Sequence, residues 1–301
     1  MSVVNAPREN MLERTNELLP PPTIASSRND ALAAAHFGKA LPQAQPQRLW
    51  THLIGGAIYS LVFWWLSTAA IIYFNFQPET RAVVFWLTFT LACAAIYLLV
   101  THRNDASVRG AYITFTAAAV VWAFVEVSFY TGYIVGPQVR PLFTIGPSWQ
   151  AFHQAVHRSL YHEVMVLGGA AGMITLWFFS KNKFGVQTFL IFWLMHQSAK
   201  LNIFLGVTNT GGEFLPDTVS SLKPYMTVAA MNWLFPISVT VATIAAYQLI
   251  SNTWRAEETW KKVGHILVGM MALLAVLEHW MLVLPLDGSL WDIAVPHLRH
   301  P

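Results

Sequence analysis

The sequence predicts an all-α fold, a polytopic transmembrane helix bundle of about seven spans. Three observations carry that expectation. Hydrophobic residues make up 55% of the chain and charged residues only 11%, far from the balance of a soluble domain. From Trp50 onward, apolar stretches recur with short polar breaks, each close to the roughly 20 residues needed to cross a hydrocarbon core of about 30 Å. These runs are continuously apolar and far longer than a barrel strand, so each must satisfy its own backbone as a helix.

Before the first span, Pro20, Pro21, Pro22, Pro42 and Pro46 sit among Ser, Asn, Gln and Ala. Residues 1–48 therefore read as a mobile Pro-rich tail, because they bury too little apolar area to offset the entropy of ordering. Nothing near Met1 combines a basic start with an apolar core, so the first span is expected to insert as its own anchor. Spans follow near Trp50–Phe74, Arg81–Val100, Gly110–Val135, Leu160–Ser180, Val186–Val207, Tyr225–Ile250 and Gly264–Leu284. They place the bundle at residues 49–286 and leave 287–301 as a short C-terminal tail. Pro236, early in the sixth span, is a candidate helix break.

Basic residues set the orientation. An N-terminus in the cytoplasm puts Lys39, Arg48, Arg103, Arg109, Lys181, Lys183, Arg255, Lys261 and Lys262 on the inner side. Arg81, Arg140, Arg158, Lys200, Lys223 and Arg299 then fall on the other, nine against six. The expected topology is N-in and C-out, with the two longest connectors, near Gly136–Ser159 and Thr208–Pro224, on the outer face. Within the first of them, His153 and His157 are spaced i, i+4 and fit an interfacial amphipathic turn better than a ligand pair.

The net charge of +3 forms no basic stripe, which argues against a nucleic-acid partner. The lone Cys93 excludes an intramolecular disulfide and a Cys-based metal cage, and within its apolar run it is expected to be a buried, inert thiol. No Gly-rich phosphate loop appears, which disfavours an ATP-driven transporter.

Ionisable groups within the spans carry the functional signal, since a charge at the bilayer centre costs roughly 3 kcal/mol on insertion scales. At about 1.5 Å per residue, Glu126 lies roughly 24 Å from the inner end of its span, Glu278 roughly 21 Å and His196 roughly 15 Å. His162 and Glu163 enter from the other side, in the first turn of theirs. Depth alone thus gathers Glu126, His162, Glu163, His196, Glu278 and His279 in the middle or outer half of the membrane. Carboxylate oxygen and imidazole nitrogen suit a transition metal such as iron or manganese, yet His162–Glu163 and Glu278–His279 are neighbours about 100° apart, not the Glu-x-x-His pairs of bundle di-iron sites. The alternative is that one member of each pair faces the interior in a hydrogen-bonded Glu–His contact and the other packs. A single imidazole such as His196 also suits the magnesium of a chlorin.

Recognition enters through the connectors and the polar turns. In order along the chain stand Thr131-Gly132-Tyr133-Ile134-Val135-Gly136-Pro137, Tyr161-His162-Glu163, Ser198-Ala199-Lys200-Leu201-Asn202-Ile203-Phe204-Leu205-Gly206-Val207-Thr208-Asn209, Glu213-Phe214-Leu215-Pro216 and Glu278-His279-Trp280. This series resembles the PuhE-type photosynthetic complex assembly proteins of anoxygenic phototrophic bacteria, over about Trp50–Leu286. The resemblance implies a polytopic protein of the bacterial inner membrane. It would aid assembly of the reaction centre with its light-harvesting antenna, or modulate bacteriochlorophyll supply. Its expected partners are the lipid bilayer, reaction-centre or antenna subunits and a pigment. The matching positions Glu126, His162, Glu163, Lys200, Asn202, Asn209, Glu213, Glu278 and His279 form the expected shared site. Their roles follow from the membrane argument, which also brings in His196: His162, His196, Lys200, Asn202 and Asn209 for cofactor contact, and Glu126, His162, Glu163, Glu278 and His279 for a metal. No catalytic residue is assigned. The competing function is a metal-dependent membrane oxidoreductase acting on a lipid-soluble pigment or quinone.

Overall fold

The computed structural model describes residues 46–137 and 146–284. The two expected tails lie outside them, except that residues 46–48 already open the first helix. Eight α-helices follow among the described residues: α1 (Pro46–Asn75), α2 (Arg81–Thr101), α3 (Val108–Tyr130), the short α4 (Trp149–Arg158), α5 (Leu160–Phe178), α6 (Phe184–Leu205), α7 (Leu234–Arg255) and α8 (Thr259–Met281). The all-α expectation holds. Five helices, α1, α2 (extended by the turn Pro78–Thr80), α3, α7 and α8, are long and apolar enough to cross a membrane. Helices α5 and α6 coincide with expected spans but fall short in apolarity, because α5 spends His162 and Glu163, and α6 spends Gln187, His196, Gln197, Lys200 and Asn202.

Connectors show the up-and-down order. At one end, Thr218 donates to the Tyr130 carbonyl (2.5 Å), Asn209 Nδ2 to Met281 O (2.7 Å) and Tyr225 to Gln154 (3.0 Å). Arg81 pairs there with Asp217, and its hydrogen bond holds that exposed carboxyl below the usual carboxylate range. At the other end, Asn182 N donates to Arg103 O (2.8 Å) and Lys181 N to Asn104 Oδ1 (3.0 Å). The two longest connectors therefore share one end.

Helices α3 and α8 form the centre. Their most apolar windows are 67% and 56% buried, against 6% for α1. Small residues let the backbones approach: a Cβ on Gly185 would stand 2.7 Å from the Thr114 carbonyl, and one on Gly264 would enter the Phe184 ring. Around these contacts, Ala111, Phe115, Phe184, Val263, Leu267 and Met271 pack on one side of α3, and Ala118, Val121, Trp122, Val166, Ala170 and Phe189 on another. Helix α1 is the least enclosed of the five membrane-length helices. It meets the bundle through Tyr59, hydrogen-bonded to Thr116 (2.7 Å), and the fully buried Ser60, which donates to the Leu267 carbonyl (3.2 Å), while Ile54, Ile58, Leu61, Val62 and Leu66 stay exposed. That apolar face fits contact with lipid.

Three expectations change. The sixth span begins at Leu234, not Tyr225, because the preceding segment is captured in extended form: Thr227 N donates to Ile203 O (3.0 Å) and Val207 N to Thr227 O (3.1 Å). Gly206, at φ +126°, turns the chain out of α6 toward this pairing. Asn232 then starts α7, accepting from Leu234 N (2.8 Å) and Phe235 N (3.1 Å) while donating to Asn202 O and Gly206 O. Pro236 breaks nothing, since it sits in the first turn, where no intrahelical donor is needed. Cys93 is exposed, because α2 lies at the rim of the bundle and turns most of its apolar side outward.

Candidate functional site

Four helices and one connector bring the expected polar residues to a single region. A cavity of about 690 Å³ opens between α1, α3, α6 and α8 beneath the connector that follows α6. Its walls are mostly apolar and aromatic, from Phe63, Trp64 and Ile71 through Trp122, Phe129 and Phe192 to Met271 and Leu282. Glu126, His196, Lys200, Asn209, Glu213, Glu278 and His279 supply the polar part of the lining. Carboxylates and imidazoles from separate helices thus converge, as the depth argument required.

The neighbouring pairs split by direction. His162 points to α3 and α6: it is fully buried, its ring 4.5 Å from Phe129 and 5.9 Å from His196 between centroids. Glu163 turns toward the next face of α6, where it pairs with Lys200 and accepts from Gln197 (2.9 Å) and Ser159 (3.3 Å). On α8, Glu278 faces the cavity and accepts a hydrogen bond from Trp64. His279 instead locks α8 to α6: Nδ1–H donates to the Ala275 carbonyl (2.8 Å), which leaves Nε2 to accept from the Ser198 hydroxyl (3.0 Å).

Two of the residues expected at a cofactor instead tie structural elements together. Asn202 donates to Ser198 O and Ser238 Oγ, both at 2.9 Å, and ties α6 to α7. Asn209 donates to Met281 O and Leu284 O, both at 2.7 Å, and its own N–H bonds Leu282 O (2.9 Å). It clamps the end of α8 over the cavity.

The tightest grouping is Glu126, His162 and His196, whose ligand-capable atoms lie within 4.8 Å of one another. His196 Nδ1 stands 3.5 Å from Glu126 Oε1. Neither ring nitrogen of His162 has a hydrogen-bond partner among the described residues, an arrangement that costs about 1–3 kcal/mol per unsatisfied group in a buried site. Sequence reasoning put His196 with the cofactor contacts and Glu163, Glu278 and His279 with the metal; the geometry sets His196 beside Glu126 and His162 and directs the other three elsewhere. Gln197, Ser198 and Trp64 were not foreseen. The signal for Gln197 was its place three residues before Lys200, on one helix face.

The family described as protein of unknown function (DUF3623) matches residues 51–301. An uncharacterized 30.4 kDa protein in the puhA 5' region of Rhodobacter capsulatus is 32% identical over 253 residues, 81% of this chain and 92% of that protein. No solved structure matches the chain.

Proposed function

Because the chain belongs to the DUF3623 family, with a relative from the puhA photosynthesis region, we propose that it is an integral membrane assembly factor for the photosynthetic reaction centre and its antenna, one that holds a lipid-soluble pigment while the complex is built. The observation that carries this reading is the cavity of about 690 Å³, within the range of pockets that enclose most of a ligand of drug size or larger. A mostly apolar wall suits a chlorin, quinone or carotenoid drawn from the bilayer, and one polar flank, with Glu278, Glu126 and His196, fixes its orientation. Helix α1 forms the wall nearest lipid and is joined to the bundle by few contacts, so entry runs past it. The relative from the puhA region supports a photosynthetic partner and a place in the bacterial inner membrane. No turnover is required.

Gently solubilised protein from a phototrophic host is expected to carry pigment or quinone in near-stoichiometric amount. Ala123→Phe and Ala199→Phe place a ring in the cavity from α3 and α6 and are expected to cut that content about tenfold or more without loss of folded protein. Deletion of the gene is expected to lower assembled reaction-centre and antenna absorption. Wild-type protein free of any chromophore or quinone, together with unchanged complexes after deletion, would sink the reading.

A further inference from the structure

We propose that Glu126, His162 and His196 bind one divalent transition-metal ion, with an open coordination position directed into the cavity. The assignment stands on geometry and does not require the pigment reading.

Four observations point the same way. The three side chains come from α3, α5 and α6, and their donor atoms lie within 4.8 Å of one another. The 3.5 Å between His196 Nδ1 and Glu126 Oε1 is close to the roughly 3.4 Å that separates two ligands, each about 2.1 Å from a tetrahedral ion. His162 is fully buried with both ring nitrogens unpartnered among the described residues, and Glu126 Oε1 likewise lacks a hydrogen-bond donor. Buried polar atoms in native proteins are otherwise almost always satisfied. Finally, the one ammonium among the described residues that line the cavity, that of Lys200, already pairs with Glu163 and not with Glu126.

Ligand type narrows the occupant. Two imidazoles and one carboxylate with a free position are the donor set of mononuclear iron(II) and of catalytic zinc(II). The chain's lone cysteine is exposed on α2, so no thiolate competes. Glu126 and His196 keep 12% and 23% of their side-chain surface exposed and belong to the cavity wall, whereas His162 does not. The open position therefore faces the cavity.

The test uses the full chain in mild detergent. Metal analysis of protein from unsupplemented cells reports which of iron and zinc is native, and chelated protein reloaded with cobalt(II) reports coordination through its visible d–d absorption. One equivalent of tightly bound metal is expected. Glu126→Gln, His162→Gln and His196→Gln are each expected to weaken cobalt binding by more than about 100-fold, beyond what loss of an outer partner causes. His153 and His157, 6.4 Å apart between ring centroids on α4, are the natural adventitious site, and the double variant His153→Gln/His157→Gln is expected to keep the full equivalent. Should any one variant fail to fold, the other two carry the test, Glu126→Gln being nearly isosteric. Wild-type protein that takes up no cobalt overturns the assignment; so does uptake that survives all three substitutions, or uptake abolished by the His153/His157 double change alone.

Discussion

Lys200→Met is expected to destabilise the protein by about 1–3 kcal/mol, between the cost of breaking an exposed ion pair and that of removing one partner of a fully buried one. Lys200 on α6 and Glu163 on α5 form a pair whose side chains keep 33% and 17% of their surface. Gln197 and Ser159 remain on the carboxylate after the change, but hydrogen bonds supply no counter-charge. The double variant Lys200→Met/Glu163→Gln removes both charges and is expected to recover most of the loss. Unfolding in mixed micelles, followed by helical signal, measures both. If the single change costs no more than an exposed surface pair, under about 1 kcal/mol, the pair is solvated and the low-dielectric setting of the site is wrong.

Gly185→Ala is the second large effect. Its added Cβ would stand 2.6 Å from Leu99 Cδ2 and 2.7 Å from the Thr114 carbonyl oxygen. The leucine tip can rotate away, but the backbone of α3 cannot, so α3 and α6 must separate. Overpacking of this kind costs about 1–3 kcal/mol, and Gly185→Leu is expected to prevent folding. Gly168 and Gly172 on α5 meet nothing within 4 Å. Alanine there is expected to be neutral or to stabilise by up to about 1 kcal/mol through helix propensity. Equal behaviour of the three glycines would show that the close approach of α3 and α6 is absent.

Much of the bundle was legible because apolar length is a one-dimensional quantity. Seven long helices among the described residues fall where such runs occur. The start of α7 was not legible: the segment 226–232 is apolar enough to read as membrane helix, and Asn202, Ile203, Gly206, Val207 and Thr208, distant in sequence, hold it extended. Depth was legible too, since rise per residue fixes height along a helix. It placed Glu126, His196 and Glu278 at one cavity. Direction around the axis was not, because it depends on how each helix is rotated against its neighbours. Hence His196 and Glu163 exchange places relative to the sequence-based grouping, and Asn202 and Asn209, which look like ligands in a motif, donate to the Ser238 hydroxyl and to backbone carbonyls.

Helix α1 is longer than the hydrocarbon core it would cross. Its 30 residues span about 45 Å at 1.5 Å each, against a hydrocarbon thickness near 30 Å, and a helix in mismatch tilts. As one wall of the cavity and with few ties to the rest, α1 makes the width of that chamber a function of lipid chain length. Ligand retention should differ between discs of short-chain and long-chain lipids, and equal retention in both would mean that the wall is fixed.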